Sequence, residues 1–170
     1  MLKIAVFGSA FNPPSLGHKS VIESLSHFDQ IQLIPSISHA WGKEMLDYDR
    51  RCELVDAFIA DLSMPQVVLS TVEEELFIPG QSVTTYAVLE RLQKNFPDAD
   101  ITFVLGPDNF FSFSKFYKAE EITKRWNVLA CPERVAIRST DIRLALHNGE
   151  DISHLTTLNV QRILVDSKYY

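Results

Sequence analysis

Cysteine, basic charge and long apolar runs are all scarce in this sequence. Its 170 residues include two cysteines, Cys52 and Cys131, which stand in apolar surroundings with no metal-ligand spacing around either. We therefore expect two buried free thiols and no disulfide. No apolar run approaches the roughly 20 residues that span a bilayer, and no charged-then-apolar leader precedes the first strand pattern. These absences predict a cytoplasmic protein with no membrane partner.

Basic residues are outnumbered by acidic ones, 16 against 22, and the formal net charge is −6 at pH 7. A general nucleic-acid binder usually shows a basic face or stripe, so we expect no nucleic-acid partner. The charge does not exclude anionic small substrates, because a few arginines at one site suffice to bind them. The sequence has no internal repeat, low-complexity tract or linker-like stretch, which predicts one domain over residues 1–170.

Short apolar runs alternate with helical stripes along the chain. This alternation is typical of an α/β fold, predicted here as a Rossmann-like, doubly wound and mainly parallel five-stranded sheet with flanking helices. The predicted strands cover residues 2–7, 30–35, 66–70, 101–105 and 127–131. The predicted helices cover residues 18–27, 48–62, 84–95, 139–147 and 154–166, the second of them capped by Asp47 or Asp49. Ligands of such sheets bind outside the carboxyl ends of the strands, so the loops 8–18, 36–47 and 106–118 are expected to hold the chemistry.

The first of these loops reads Gly-Ser-Ala-Phe-Asn-Pro-Pro-Ser-Leu-Gly-His from Gly8 to His18. A strand that breaks at glycine and re-enters a helix through small residues forms a pocket of backbone N–H groups, and the helix start adds positive dipole. The pattern predicts a phosphate site in which residues 8–11 donate from the backbone and His18 donates from its ring. It matches neither G-x-G-x-x-G nor G-x-x-x-x-G-K-[ST]. The structural alternative is a histidine that only covers the helix.

A second candidate anion site is the segment Ile-Arg-Ser-Thr-Asp-Ile-Arg, from Ile137 to Arg143. Ser139 is predicted to be the N-cap of a helix, with Arg143 four residues on and above it on the same face. A phosphate at this helix start would meet a hydroxyl, backbone N–H groups and a guanidinium. The alternative is an ordinary capped surface helix with a solvated arginine.

The two segments resemble the motifs of the nicotinate/nicotinamide mononucleotide adenylyltransferases. That family carries His-x-Gly-His or Thr-x-Gly-His after Gly-x-Phe-Asp-Pro, which is matched here by Gly8, Phe11, Asn12, Pro13, Gly17 and His18. It also carries Ile-Ser-Ser-Thr-x-x-Arg, in which Arg138 here replaces the first serine. The resemblance implies adenylyl transfer from ATP to nicotinate or nicotinamide mononucleotide, with release of pyrophosphate, in NAD biosynthesis. It also implies Mg²⁺ held mainly by phosphates and water, with no metal ligands from the protein.

The resemblance implies roles for individual residues. The catalytic residues that it implies are His18, Ser15 and Arg143. The residues that it places on ATP are Gly8, Ser9, Ala10, Phe11, Gly17, His18, Gly106, Asp108, Ser139, Thr140 and Arg143. Those that it places on the pyridine mononucleotide are His39, Trp41, Lys43, Thr84, Thr85 and Phe116. For Asp108 the alternative is a helix cap after a strand-ending turn, and for the pyridine-side residues it is exposed loop aromatics and a helix-capping threonine.

Three features depart from the family pattern. Ser15 stands in place of the first histidine or threonine of the motif and offers a neutral donor where a histidine could offer a charged one. Asn12 replaces an aspartate. The segment 132–138 is shorter than in the bacterial enzymes, so part of the nucleotide wall is either missing or supplied by another chain. Two alternatives stay open: another small-substrate nucleotidyltransferase, such as the phosphopantetheine enzyme, and a non-catalytic nucleotide-binding protein.

The remaining acidic and histidine residues are assigned no chemistry. The run from Glu73 to Glu75 is interpreted as a solvated face or as protection of an edge strand. His27, His147 and His154 lack the spacing of metal ligands, and no Ser-His-Asp or Cys-His set can be assembled.

Overall fold

The computed structural model describes residues 1–38 and 44–170. The strands in these residues are β1 (Lys3–Ser9), β2 (Gln30–Pro35), β3 (Val67–Leu69), β4 (Asp100–Leu105) and β5 (Asn127–Ala130). They form one sheet in the order β3-β2-β1-β4-β5, and every neighbouring pair is parallel. The predicted α/β fold with a parallel five-stranded sheet is confirmed.

The helices of the same residues are α1 (Leu16–Glu23), α2 (Tyr48–Ala60), α3 (Val72–Leu76), α4 (Thr85–Asn95), α5 (Pro107–Ser112), α6 (Ala119–Arg125), α7 (Ser139–His147) and α8 (Leu158–Asp166). All five predicted helices are present, although α1 ends at Glu23 instead of residue 27 and α8 begins at Leu158 instead of residue 154. The sequence pattern does not predict α3 or α6, which are five and seven residues long. Helices of that length are too short to show a repeated apolar stripe.

Both faces of the sheet are covered by helices. Along β1, Ala5 and Phe7 enter one core with residues of α1, α2, α7 and α8, while Ile4 and Val6 enter a second core with residues of α4 and α6. This division follows from the alternation of side chains along a strand. Because both faces are buried, the sheet leaves its strand ends, not its faces, for a ligand site.

The reversal of strand order decides where that site lies. From β1 the chain moves outward to β2 and β3, and then returns across the sheet to β4 on the other side of β1. The loops after β1 and β4 therefore diverge at the carboxyl edge of the sheet and leave a crevice between them.

Both cysteines are free, as expected, but only one of the two is buried. Cys131 is buried, Cys52 is half-buried, and both are free thiols. Over residues 1–38 and 44–170, no helix combines the length and the apolar character that crossing a membrane requires.

Candidate active site

A cavity of about 290 Å³ opens at the carboxyl ends of β1 and β4. It is lined by the loop after β1 with the start of α1, by the start of α5, and by the segment that leads into α7. All residues predicted on the ATP side line it, together with Ser15: Gly8, Ser9, Ala10, Phe11, Gly17, His18, Gly106, Asp108, Ser139, Thr140 and Arg143. The fold thus brings the two predicted phosphate motifs into one cavity.

His18 lies in the first turn of α1 with its ring against Phe11, the two ring centroids 4.7 Å apart. Its Nδ1 accepts the backbone N–H of Ser15 at 3.0 Å, so a neutral ring carries its proton on Nε2. Nε2 lies 3.0 Å from Ser9 Oγ. Burial lowers the pKa of His18 from 6.5 to about 4. Near neutral pH, His18 therefore offers the cavity one N–H donor and no positive charge.

Ser15 is the N-cap of α1, and its side chain is 1% exposed. Its Oγ accepts the backbone N–H of His18 at 3.3 Å and lies 3.3 Å from the carbonyl oxygen of Ile137. The sequence predicts Ser15 as a donor to phosphate, whereas the structure places its hydroxyl in the helix cap and against the chain that enters α7. Ser15 is thus arranged to orient His18, because both its backbone N–H and its side chain contact that residue.

Four carbonyl groups of the loop between β1 and α1 accept hydrogen bonds from side chains distant in sequence: Ala10 from Arg51, Asn12 from Arg143, Pro13 from Ser139 and Pro14 from Thr156. The loop also holds Phe11 at a φ of 49°, in the left-handed region that non-glycine residues seldom adopt. A strained loop persists only where its surroundings determine it. The four anchors serve this purpose, and they occupy carbonyls whose lone pairs would repel an anion.

The expectation that Ser139 caps α7 is wrong. Arg138 occupies the N-cap position, and its backbone N–H donates to the carboxylate of Asp141 at 2.9 Å. Ser139 is the first residue of the helix, and its hydroxyl donates to Pro13 O at 2.6 Å. That hydroxyl proton is already committed to the loop, so Ser139 can offer an anion its backbone N–H.

Arg143 lies one turn into α7 and faces the same loop. Its Nη1 donates to Asn12 O at 2.7 Å and its Nη2 donates to Thr140 Oγ1 at 3.1 Å. A guanidinium has five N–H donors, so these contacts leave further donors for an anion in the cavity. Arg143 can therefore hold the loop and bind a phosphate at once.

Arg138 forms ion pairs along the rim of the cavity. Its guanidinium pairs with Asp108 at the start of α5, and its Nη2 lies 3.4 Å from Glu133 Oε1. All three residues line the cavity. Sequence reasoning identifies Arg138 as a departure from the family motif and misses this pairing, because nothing in the sequence places residue 138 beside residue 108.

Comparison with known proteins assigns the family. A cytidylyltransferase-like family profile matches residues 6–153. The chain belongs to the cytidylyltransferase-like family. A solved structure described as a candidate nicotinate-nucleotide adenylyltransferase from Vibrio parahaemolyticus is 60% identical to it, with a TM-score of 0.90 over 100% of this chain and 96% of the other. The resemblance to mononucleotide adenylyltransferases is thereby confirmed.

Two more distant similarities extend over nearly the whole chain. A "Probable nicotinate-nucleotide adenylyltransferase" from Myxococcus xanthus is 29% identical over 91% of this chain and 87% of its own length. The nicotinic acid mononucleotide adenylyltransferase of Plasmodium falciparum, solved in complex with NaAD, is 16% identical with a TM-score of 0.78, over 99% of this chain and 98% of its own. At that identity the second likeness shows the fold alone.

The residues predicted on the pyridine side lie elsewhere or outside the described part of the chain. Thr84 is the N-cap of α4, where its Oγ1 accepts the backbone N–H of Ala87 at 3.1 Å, as the capping alternative expects. Phe116 packs against Phe103 in the second core, with ring centroids 6.1 Å apart. Neither these residues nor Thr85 line the cavity. His39, Trp41 and Lys43 lie outside the described residues.

The acidic run is not on an edge strand, which corrects one of its two interpretations. It forms the short helix α3, in which Glu74 and Glu75 are exposed. The Glu73 carboxylate instead accepts the backbone N–H of Ile37 at 3.1 Å. Burial raises the pKa of Glu73 from 4.5 to about 7. Glu73 therefore anchors the chain after β2 with a carboxyl group that titrates near neutral pH.

The described residues contain no group of three or more His, Cys, Asp or Glu side chains placed to hold a metal ion. Asp108 is the carboxylate at the start of α5 that lines the cavity, and Arg138 is paired with it. This donor set fits a cation that arrives with its own phosphate and water ligands, since Mg²⁺ commonly binds in that way.

Proposed function

We propose that this chain transfers the adenylyl group of ATP to nicotinate mononucleotide, forming a dinucleotide and pyrophosphate in NAD biosynthesis. The observation that carries the proposal is the single cavity in which the Nε2 of a neutral His18 and the N-terminus of α7 meet. The 60% identical structure from Vibrio parahaemolyticus and the curated relatives, whose names specify nicotinate-nucleotide adenylyltransferase, support the substrate.

The reaction needs no nucleophile from the protein. A phosphate oxygen of the mononucleotide attacks the α-phosphorus of ATP, the bond from that phosphorus to the bridging oxygen of the β-phosphate breaks, and pyrophosphate leaves with the bonding electrons. Catalysis then rests on holding two anions in line and on stabilising charge that develops during transfer. A loop whose carbonyls are held by four distant side chains meets both needs.

His18 is proposed to donate from Nε2 to an oxygen of the α-phosphate. The Ser15 backbone N–H on Nδ1 fixes this tautomer before the substrate binds. In the free enzyme, the acceptor of that proton is Ser9 Oγ, which lies 3.0 Å from Nε2. A donor oriented in advance costs no reorganisation when charge develops on the phosphate.

The start of α7 is proposed to bind the β- and γ-phosphates. Its first backbone N–H groups have no partner within the helix, and the helix dipole favours an anion there. Thr140 and Arg143 line the same part of the cavity. Magnesium is proposed to arrive with ATP, held by phosphate oxygens and water near Asp108.

The test is pyrophosphate release from the purified protein with ATP and one acceptor at a time: nicotinate mononucleotide, nicotinamide mononucleotide or phosphopantetheine. We expect release with a pyridine mononucleotide, fastest with the nicotinate form, and none with phosphopantetheine. The H18A variant, assayed at the same protein concentration, controls for contaminating activity. Release with phosphopantetheine alone, or ATP binding without release, would contradict the proposal.

A further inference from the structure

Arg51 is a charged residue in a core position. It lies on α2 in register with Leu54, Val55 and Phe58, which are all fully buried, and it is itself 1% exposed. A buried charge is costly unless hydrogen bonds satisfy it, and apolar residues of similar volume often replace buried ion pairs without loss of stability. The packing of α2 alone therefore does not account for a guanidinium here.

The guanidinium donates hydrogen bonds to three backbone carbonyls, which belong to two segments of the chain. Nε donates to Leu46 O at 2.6 Å, and Nη1 donates to Ala10 O at 2.9 Å and to Ser36 O at 2.6 Å. Ala10 belongs to the loop after β1, while Ser36 and Leu46 are near the two ends of the segment that joins β2 to α2. No carboxylate forms an ion pair with Arg51 among the residues that the structure describes.

A second set of bonds ties the same segments together. The backbone N–H of Leu46 donates to Asn12 Oδ1 at 3.2 Å, and the backbone N–H of Ser36 donates to Ser9 O at 3.0 Å. The Ser36 end of the β2–α2 segment is therefore attached to the last residue of β1, and the Leu46 end is attached to the loop that follows β1. Arg51 is the side chain that contacts both ends and the loop at once.

We infer that Arg51 is a positioning residue that holds the two described ends of the β2–α2 segment, at Ser36 and Leu46, against the loop after β1. Under the proposed function, on which this inference rests, the loop binds the α-phosphate and the β2–α2 segment is the predicted source of acceptor contacts. Arg51 then fixes the distance between the attacking phosphate and the phosphorus that it attacks. A misplacement of about 1 Å at such a point costs about 10²-fold in rate.

Removal of Arg51 should lower kcat/KM for the acceptor more than it lowers the affinity for ATP. Removal of Arg51 frees the Ala10 carbonyl, but three of the four loop anchors remain, Arg143 on Asn12, Ser139 on Pro13 and Thr156 on Pro14. ATP affinity should therefore change by no more than about threefold, while kcat/KM for the mononucleotide falls by about 10²-fold.

The experiment compares R51M and R51K with the neighbouring R50M. Methionine fills similar space without donors, and lysine keeps the charge but not the fork of three bonds. Arg50 is more than half exposed and pairs with Asp47 at 3.6 Å on the surface, so R50M is a matched control. Activity is measured at a temperature where circular dichroism shows every variant folded. We expect R51M to lose about 10²-fold in kcat/KM for the acceptor, R51K to recover part of it, and R50M to behave as wild type.

Hydrogen exchange provides a second readout that does not need activity. In R51K, the amides of Ser36 and Leu46 should exchange at least about tenfold faster than in wild type, while core amides such as that of Phe103 keep their protection. Unchanged exchange at both amides, or wild-type kinetics in folded R51M, would overturn the inference. If wild-type protein itself releases no pyrophosphate, the proposed function fails, and the exchange measurement still decides the role of Arg51.

Discussion

A Cβ atom on Gly17 would lie 2.1 Å from the carbonyl oxygen of Ile137, a distance that no side chain can occupy. The start of α1 and the chain that enters α7 touch at this point, 120 positions apart in sequence. We therefore expect G17A to separate the two halves of the site and to lower turnover by 10²-fold or more, of the order expected for misplaced groups. Steady-state kinetics on folded protein measure this.

A matched comparison for that variant is G8A. A Cβ on Gly8 would meet only Ile34 O at 3.7 Å, an ordinary contact. G17A should therefore lower the melting temperature clearly more than G8A does. Equal melting temperatures for the two variants would show that the backbone adjusts easily at Gly17 and that the close contact has no structural consequence.

H18A should lower kcat by about 10²-fold or more, with a smaller effect on ATP affinity. The reason is that a preorganised donor acts on charge that develops during the reaction. H18Q, whose amide can also donate, should retain more activity than H18A. The assignment of His18 fails if H18A turns over at near the wild-type rate.

The lowered pKa of His18 makes a separate prediction about stability. The pKa of this ring is about 4 in the folded protein against 6.5 for the ordinary group, so the unfolded chain binds the extra proton between these values. Stability contributed by neutral His18 is present above pH 6.5 and is lost as the pH falls towards 4, by up to about 3 kcal/mol. Denaturant unfolding of wild type and H18Q from pH 4 to 7.5 checks this, with H147Q at an exposed histidine as control. The wild-type curve should fall more steeply in acid than that of H18Q, whereas parallel curves would contradict the assignment.

Glu73 should behave in the opposite sense. The pKa of its carboxyl is about 7 when folded against 4.5 for the ordinary group, so the folded protein binds the extra proton between these values. The unfolding free energy of wild type should therefore fall relative to E73Q as the pH rises from 4.5 through 7, by about 2 to 3 kcal/mol. The glutamine can still accept the Ile37 N–H. E74Q, at the exposed neighbour, keeps Glu73, so its unfolding free energy should vary with pH as that of wild type does. An equal difference from wild type in both variants would mean that Glu73 is not specially placed.

Two arginines of the cavity should differ in their effect on ATP. Arg143 holds Asn12 O and keeps donors for phosphate, whereas Arg138 is paired on the rim with Asp108 and Glu133. Exposed ion pairs contribute little and must be given up before Arg138 can meet a phosphate. We expect R143A to weaken binding of a nonhydrolysable ATP analogue by tenfold or more, and R138S, which restores the family residue, by less than about threefold. Isothermal titration measures both affinities. If R138S weakened binding of the analogue more than R143A does, this interpretation would be wrong.

The fold was predictable because its signals are local. Strands such as β1 and β4 contain runs of at least three consecutive apolar residues and end at turn residues, and helices such as α7 end at the Asn-Gly pair that follows His147. Two contacts could not be predicted, because long-range contacts leave no periodic pattern in the sequence. They are the contact of Gly17 with Ile137 and the ion pair of Arg138 with Asp108. The cavity itself was predictable in outline from the rule that ligands bind at the carboxyl ends of parallel strands.

The burial of Arg51 could have been predicted from the sequence. Residues 51, 54, 55 and 58 repeat at the spacing of one helical face, and three of the four are apolar. A stripe drawn through Cys52, Val55 and Phe58 also passes over position 51, because successive helical residues are about 100° apart. The structure agrees, since Arg51 is buried, while Cys52 at the edge of that stripe is half-buried.

The most direct test of the whole account is the identity of the product. The protein should be incubated with ATP and nicotinate mononucleotide, and the mixture analysed by mass spectrometry beside a parallel reaction with H18A. We predict one dinucleotide of nicotinate and adenosine for each pyrophosphate released, formed about 10²-fold more slowly by the variant. The absence of dinucleotide from wild-type protein that binds ATP, or equal rates for the two proteins, would contradict the account.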